Sequence, residues 1–268
     1  LFFIIIIIFP LLYTLSLSVR SPETVYSAKY FLIPYEFSFA NYIDAFVNAE
    51  QKLKVSFPRM FLNSAVVTSL SVTLIISMSI FAAFAFSHLR FPLKESLYNV
   101  MIASVAMPAQ VLLIPLFYIL IYLGIINTYQ AVILAYAGFL IPIGILILRM
   151  FYEQIPYELT EAGTVDGASD FQLLMKVLLP LAKPAIATCV ILLFLDTWNE
   201  FIYAMIFMQD PTIHTVPVGL AKIGTSRYQV NIGTYSASVM ITIIPVMIIF
   251  AVFQRWFIAG MTMGALKH

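Results

Sequence analysis

Six stretches of mostly apolar residues punctuate the chain, at about 1–19, 61–87, 97–122, 129–150, 184–208 and 237–258. A helix needs about 20 such residues to cross the hydrocarbon core of a bilayer. Barrel strands would alternate apolar with polar over about 10 residues, and the unbroken isoleucines from Ile4 to Ile8 do not alternate. The predicted fold class is therefore all-α, a polytopic membrane protein with six transmembrane helices in one domain over 1–268. Composition agrees. Of 268 residues, 62% are hydrophobic and 10% are charged, against about 25% charged in an ordinary soluble domain. A water-soluble fold of this size has too little polar surface to cover that. An ordinary soluble enzyme, a disordered chain and a nucleic-acid binder are excluded.

The remaining global features are sparse. Fourteen Lys+Arg oppose thirteen Asp+Glu, and no basic block marks a polyanion partner. A single cysteine, Cys189, allows no internal disulfide, and no Cys/His spacing fits a metal. The chain opens inside an apolar run with no signal-peptide pattern, so the run is read as a first span whose leader is missing. Pro10, Pro108, Pro115, Pro142 and Pro245 fall inside spans, where neighbours can satisfy the carbonyls a proline frees. A short amphipathic piece is expected around Phe39 to Val47 in the connection 20–60.

The informative connection is about 151–183. Pro156 suits a first helical turn, because its missing N–H would be unpaired there anyway. A short helix is predicted from Tyr157 to Asp166, with Glu158 and Glu161 early, where the helix dipole favours anions. Gly167 suits the left-handed residue that closes a helix. Ser169-Asp170-Phe171-Gln172 is a capping-box pattern, so a second helix should begin there and stop before Pro180. Small residues at Ala162 and Gly163 let another surface approach closely. Patterning alone leaves two readings, a docking helix or a helix pair lying on the lipid headgroups.

Glu161-Ala162-Gly163, then Gly167, then nine residues to Val177-Leu178-Leu179-Pro180 resembles the coupling loop of bacterial ABC importer permeases. Gly163 replaces the family's second Ala, at a helix-propensity cost of about 1 kcal/mol, and Val177 replaces Ile. The resemblance extends along nearly the whole chain. It looks most like the carbohydrate-uptake branch, similar to the shorter permease of the maltose-type importer. Supporting segments are Asn63-Ser64, Ile114-Pro115-Leu116, Gly124 to Thr128, Ile155 to Leu159, Val165 to Ser169, Trp198 to Phe201, Thr215 to Leu220 and Phe257 to Lys267.

The resemblance implies a permease that pairs with a second, homologous permease, with two ATPase subunits beneath and an external solute-binding protein that delivers a sugar. Contacts with the ATPase subunits would fall on Glu158, Glu161, Ala162, Gly163, Asp166, Gly167, Ser169 and Pro180, and in a tail on Gly260, Met263 and Gly264. ATP and Mg would be bound by the partner subunits, leaving this chain without cofactor, metal or catalytic residue. The nearest phosphate-loop pattern, Gly219 to Ser226, has Thr225 where the motif needs Lys. The expected location is a bacterial or archaeal cell membrane with both termini cytoplasmic. Counting basic residues around that arrangement gives seven on each side, so charge alone barely orients the chain.

Polar residues within spans are costly and usually functional. In a continuous fifth helix, Asp196, Asn199 and Glu200 would share one face, near Trp198. They either line a sugar pathway or hydrogen-bond between helices. Asn63 is a further pathway candidate, or with Ser64 a cap of the second span. Two other classes remain. An ion-driven secondary transporter would show Gly-rich broken helices and paired membrane carboxylates. A polytopic enzyme would show a convergent catalytic cluster, and none is evident in the sequence.

Overall fold

The computed structural model describes residues 2–26, 33–34, 36–53, 56–225 and 231–265. Helices dominate the described residues, and β pairing among them is an isolated bridge between Arg20 and Phe37. In chain order the helices are α1 (Phe2–Ser18), α2 (Ala40–Leu53), α3 (Phe57–His88), α4 (Lys94–Val105), α5 (Leu113–Tyr122), α6 (Tyr129–Tyr152), α7 (Tyr157–Val165), α8 (Asp170–Leu173), α9 (Leu179–Leu181), α10 (Lys183–Asn199), α11 (Ile202–Phe207), α12 (Val216–Thr225) and α13 (Ile232–Ala265).

Among the described residues, three helices are long and apolar enough to cross a membrane: α3, α6 and α13. Two bent pairs, α4 with α5 and α8–α9 with α10, bring the number to five if each is one span. The first predicted span forms the shorter helix α1, 17 residues long. The amphipathic piece near Phe39 is part of α2.

Two expectations are corrected, and a proline inside the third run, 97–122, proves to bend it sharply: its two halves meet at 97°. Pro108 supplies the reason. It lacks an N–H, and its ring drives Met107 out of the helical region, so the chain turns through a 3₁₀ segment at Ala109–Leu112 before α5. The fifth run, 184–208, is not one helix either, because α10 ends at Asn199 and α11 begins at Ile202. The second helix of the loop does not stop before Pro180. It passes through a π segment, Leu174–Leu178, into α9. The wider π turn lets the chain carry a proline that a regular α-helix would reject.

The internal contacts fall into two compact units, one of Leu1–Val66, Asn127–Tyr129 and Asn199–Ile248, the other of Val67–Ile126, Gln130–Trp198 and Ile249–His268. The core of the second contains Ile75, Leu148, Tyr152, Leu174, Leu178, Cys189 and Leu193. A smaller core in the first joins Phe57, Met60 and Val216. Hydroxyls in the spans turn back on their own helices, as Thr14 does to the Pro10 carbonyl, Thr188 to Pro184, Thr197 to Leu193 and Ser238 to Thr234. Such bonds satisfy a polar side chain where no water is present.

In the second unit Gly144 of α6 packs closely against Ser79 of α3. Ser79 Oγ donates to the Ile141 carbonyl at 3.3 Å, and a Cβ built on Gly144 collides with Ser79 Oγ and lies 3.0 Å from Ser79 Cβ. Gly144→Leu should therefore force the helices apart. Overpacking of this kind costs about 1–3 kcal/mol, to be seen as a lower melting temperature in detergent micelles.

Candidate coupling loop and the polar groups of the spans

The loop from α6 to α10 is built as a platform on the core. Pro156 immediately precedes α7 in an extended conformation, as its missing N–H suits. The helix ends on Asp166, whose N–H reaches the Ala162 carbonyl at 3.0 Å. Gly167 then takes φ +81°, in the left-handed region that favours glycine. Its N–H and that of Ala168 bond to the Thr164 and Gly163 carbonyls at 3.0 and 2.9 Å. Both halves of the predicted capping box form. The Gln172 N–H donates to Ser169 Oγ at 3.3 Å, and the Ser169 N–H donates to Gln172 Oε1 at 3.0 Å.

Gly163 seats α7 on the next helix: a Cβ there would lie 3.0 Å from Leu173 Cδ1. Leu173, Leu174 and Leu178 continue into the buried cluster with Leu148 and Tyr152 of α6. Thr160 is the buried residue of α7, and its hydroxyl donates to the Tyr157 carbonyl. Glu158, Glu161, Ala162, Asp166, Gly167, Ser169 and Pro180 are exposed, and Gly163 is partly exposed. The outer helix of the loop is thus acidic, rich in small residues and exposed, while its base is fixed in the core.

The pathway candidates separate. Asp196 and Asn199 are exposed at the last turn of α10. Trp198 turns the other way, 2% exposed, with its ring stacked on Phe194 at 5.5 Å. Glu200 is not on the face shared by Asp196 and Asn199, because it lies beyond the helix end. Its carboxylate accepts the N–H groups of Tyr203 at 2.9 Å and Ala204 at 3.2 Å, satisfying donors at the start of α11 that have no helical partner. The hydropathy of 184–208 hid this break, since a window average does not register two non-helical residues.

Asn63 and Ser64 do not cap the second span, because α3 starts at Phe57. They lie inside it and clamp the segment after α11. Asn63 is 1% exposed. Its amide donates to the Thr212 and His214 carbonyls at 3.0 and 2.9 Å, and its Oδ1 accepts from the Tyr129 hydroxyl at 2.7 Å. Ser64 Oγ accepts the Val216 N–H at 2.8 Å. Asn127 completes the clasp: at φ +63° it donates its N–H to the Phe207 carbonyl and accepts the Asp210 N–H through Oδ1. The Gly124 to Thr128 segment stands out in the sequence, but nothing there assigns a task to Asn127. An asparagine, a residue that tolerates the left-handed region, was the available signal. Gly260, Met263 and Gly264 do not form a loose tail, since α13 runs through them to Ala265. Their side chains lie outside the described residues.

Bent and broken apolar helices, joined to an exposed helical segment with a buried base, define a polytopic membrane protein. Residues 75–263 match the family described as "binding-protein-dependent transport system inner membrane component", and the chain belongs to that family. It is 31% identical over 264 residues to the trehalose/maltose transport system permease protein MalG of Thermococcus litoralis, covering 98% of this chain and 92% of that one. It is 29% identical over 264 residues to the diacetylchitobiose uptake system permease protein NgcG of Streptomyces coelicolor, covering 98% and 85%. A chain of a bacterial ABC transporter involved in the import of the acidic polysaccharide alginate superposes with a TM-score of 0.82 at 26% identity, over 96% of this chain and 92% of that one.

Two outcomes are expected of the clasp. Asn63→Ala orphans buried acceptors, which costs about 1–3 kcal/mol, and should lower the melting temperature in detergent. His214 supplies a pH dependence. Its ring is buried, with Lys222 Nζ 3.2 Å from Nε2, and burial first, then the Lys222 charge, hold its pKa below the ordinary 6.5. Above pH 6.5 the ring is neutral whether the chain is folded or unfolded. As pH falls below that value the unfolded chain takes the proton first, so stability should decline until the folded pKa is reached. Melting curves from pH 7 to 5 should show the decline, and His214→Gln should flatten it (about 6.5 is the ordinary midpoint).

Proposed function

We propose that the chain is one of two permease subunits of an ATP-driven importer for a sugar or oligosaccharide, forming half of the translocation pathway. The observation that carries this is the exposed helix α7, closed by Gly167 and seated through Leu173 on the core. A connector between spans has no need of such a platform, whereas a docking helix needs both an open outer face and a rigid base. Family membership supports the reading, as do relatives named for trehalose/maltose and diacetylchitobiose uptake.

In this reading six spans cross the membrane, and the loop and both termini face the cytoplasm. Two ATPase subunits bind ATP and Mg, and one receives α7 in a cleft. The exposed face of Glu158, Glu161, Ala162, Gly163 and Asp166 makes the contact, Gly167 and Ser169 set the turn behind it, and the end of α13 at Gly260, Met263 and Gly264 lies nearby. Closure of the ATPase pair displaces α7, and the packed core hands that displacement to the spans. A second permease completes the pathway, and an external solute-binding protein delivers substrate. The chain performs no ATP chemistry itself. Asp196 and Asn199 are the polar groups best placed for sugar hydroxyls, because they are exposed on a membrane helix.

The test is co-expression with candidate ATPase and permease partners, purification through a tag on this chain, and uptake assays. An ATPase subunit should co-purify, and uptake should cease on ATP depletion. Glu161→Lys and Gly167→Pro should both insert into the membrane and lose ATP-coupled uptake. Normal transport in both variants, or uptake that survives ATP depletion with no ATPase bound, would overturn the reading.

A further inference from the structure

We propose that Arg149 is a positioning residue that carries displacement of the coupling loop to the bent span α4–α5. The inference rests on the importer reading above and adds a polar route beside the apolar packing of Tyr98 and Met101 on the core. Arg149 lies in the last turn of α6, just ahead of the loop. Its Nε donates to Glu153 Oε1 at 2.6 Å, on the loop side. Its Nη2 donates to both carboxylate oxygens of Glu95 at 3.2 and 3.3 Å, in the first turn of α4. Its guanidinium carbon sits 3.8 Å from the centre of the Tyr98 ring, one turn further along α4.

One planar cation therefore holds the start of the loop and the start of α4 together. Arginine suits the task because its fork can engage two carboxylates and stack on a ring at once, which a lysine ammonium cannot do. The neighbouring connection is also closed. Lys94 Nζ donates to the Ser87 and Leu89 carbonyls at 3.3 and 3.1 Å, so the end of α3 and the start of α4 are tied as one corner. A shift of Glu153 with the loop thus reaches α4 through Arg149.

At its far end α4 has room to respond. The 97° bend at Pro108 opens beside a cavity of about 430 Å³ lined by Leu112, Pro115, Leu116, Phe139 and Ile143 among others. A bent span beside a cavity can swing, whereas a straight span in a close-packed core cannot.

Stability does not account for the cluster. The Glu95 and Glu153 side chains are 63% and 48% exposed while that of Arg149 is 12% exposed, and each single neutral substitution leaves Arg149 paired with the other carboxylate. Neutral variants of the two glutamates should therefore fold and insert.

The experiment places spin labels at Leu97→Cys on α4 and Tyr118→Cys on α5, both exposed, in the full transporter assembled with its ATPase and permease partners. Cys189 is buried and stays in place. In the otherwise unmodified chain, addition of ATP and Mg should change the distance across the bend. Glu95→Gln, which cuts the tie to α4, and Glu153→Gln, which cuts the tie to the loop, should each lose most of that change, although the ATPase subunits still bind and hydrolyse ATP. Arg149→Lys should keep part of it. An undiminished change in both glutamate variants, or no change in the unmodified chain, overturns the inference. Absence of any co-purifying ATPase overturns the importer reading instead, and this inference with it.

Discussion

Backbone N–H and C=O groups freed wherever a membrane helix bends, breaks or ends must find partners inside the protein, because the hydrocarbon offers none. Backbone buried in the connections between spans is under the same demand, and together these set the placement of the scarce polar residues. Glu200 takes the free N–H groups at the start of α11. Lys94 takes carbonyls at the end of α3. Asn41 donates to the Ser18 and Arg20 carbonyls just past α1, at 3.1 and 2.7 Å. Asn63 and Asn127 do the same for the irregular chain after α11. Irregular backbone is tolerated where a buried polar side chain stands ready, so the bends and the polar residues have to be read together.

The loop between α6 and α10 obeys a different rule. Its outer helix is exposed, so its own backbone is closed locally by Gly167 and the Ser169–Gln172 box. Its rigidity comes from beneath, where Leu173, Leu174 and Leu178 enter the core beside Leu148 and Tyr152. Local closure makes the helix independent of its surroundings, and the apolar base makes it stiff. Under the proposed importer reading, these are the two properties a helix needs to accept force from another subunit. The π segment at Leu174–Leu178 meets the same requirement, since it carries the chain past Pro180 without breaking the platform.

Much of this was legible in advance. Hydropathy located the apolar segments, because insertion depends on the summed character of about 20 residues. Capping box and glycine turn were legible because each depends on residues within three or four positions. Hydrogen bonds outside such a local motif were not legible. The break at Glu200–Phe201 lies in an apolar run, and a window average does not detect a carboxylate that caps a second half-helix. The corner of Arg149, Glu95 and Glu153 joins residues up to 58 positions apart (95 to 153), and nothing local announces it.

Composition and local pattern therefore settle the solvent in which this chain folds, the helical class, and the glycine turn and capping box of the loop. Each is a property of composition or of short-range backbone chemistry. Tertiary structure alone decided which polar residues are engaged with backbone and which stay exposed. Sequence marks Asn63 and Glu200 as pathway candidates alongside Asp196 and Asn199, yet the Asn63 amide N–H groups and the Glu200 carboxylate bond to backbone groups while the last two residues lie exposed. The physical reason is that a polar side chain within a membrane bonds to whichever unsatisfied group the fold brings near it, and that neighbour can lie far away in the chain.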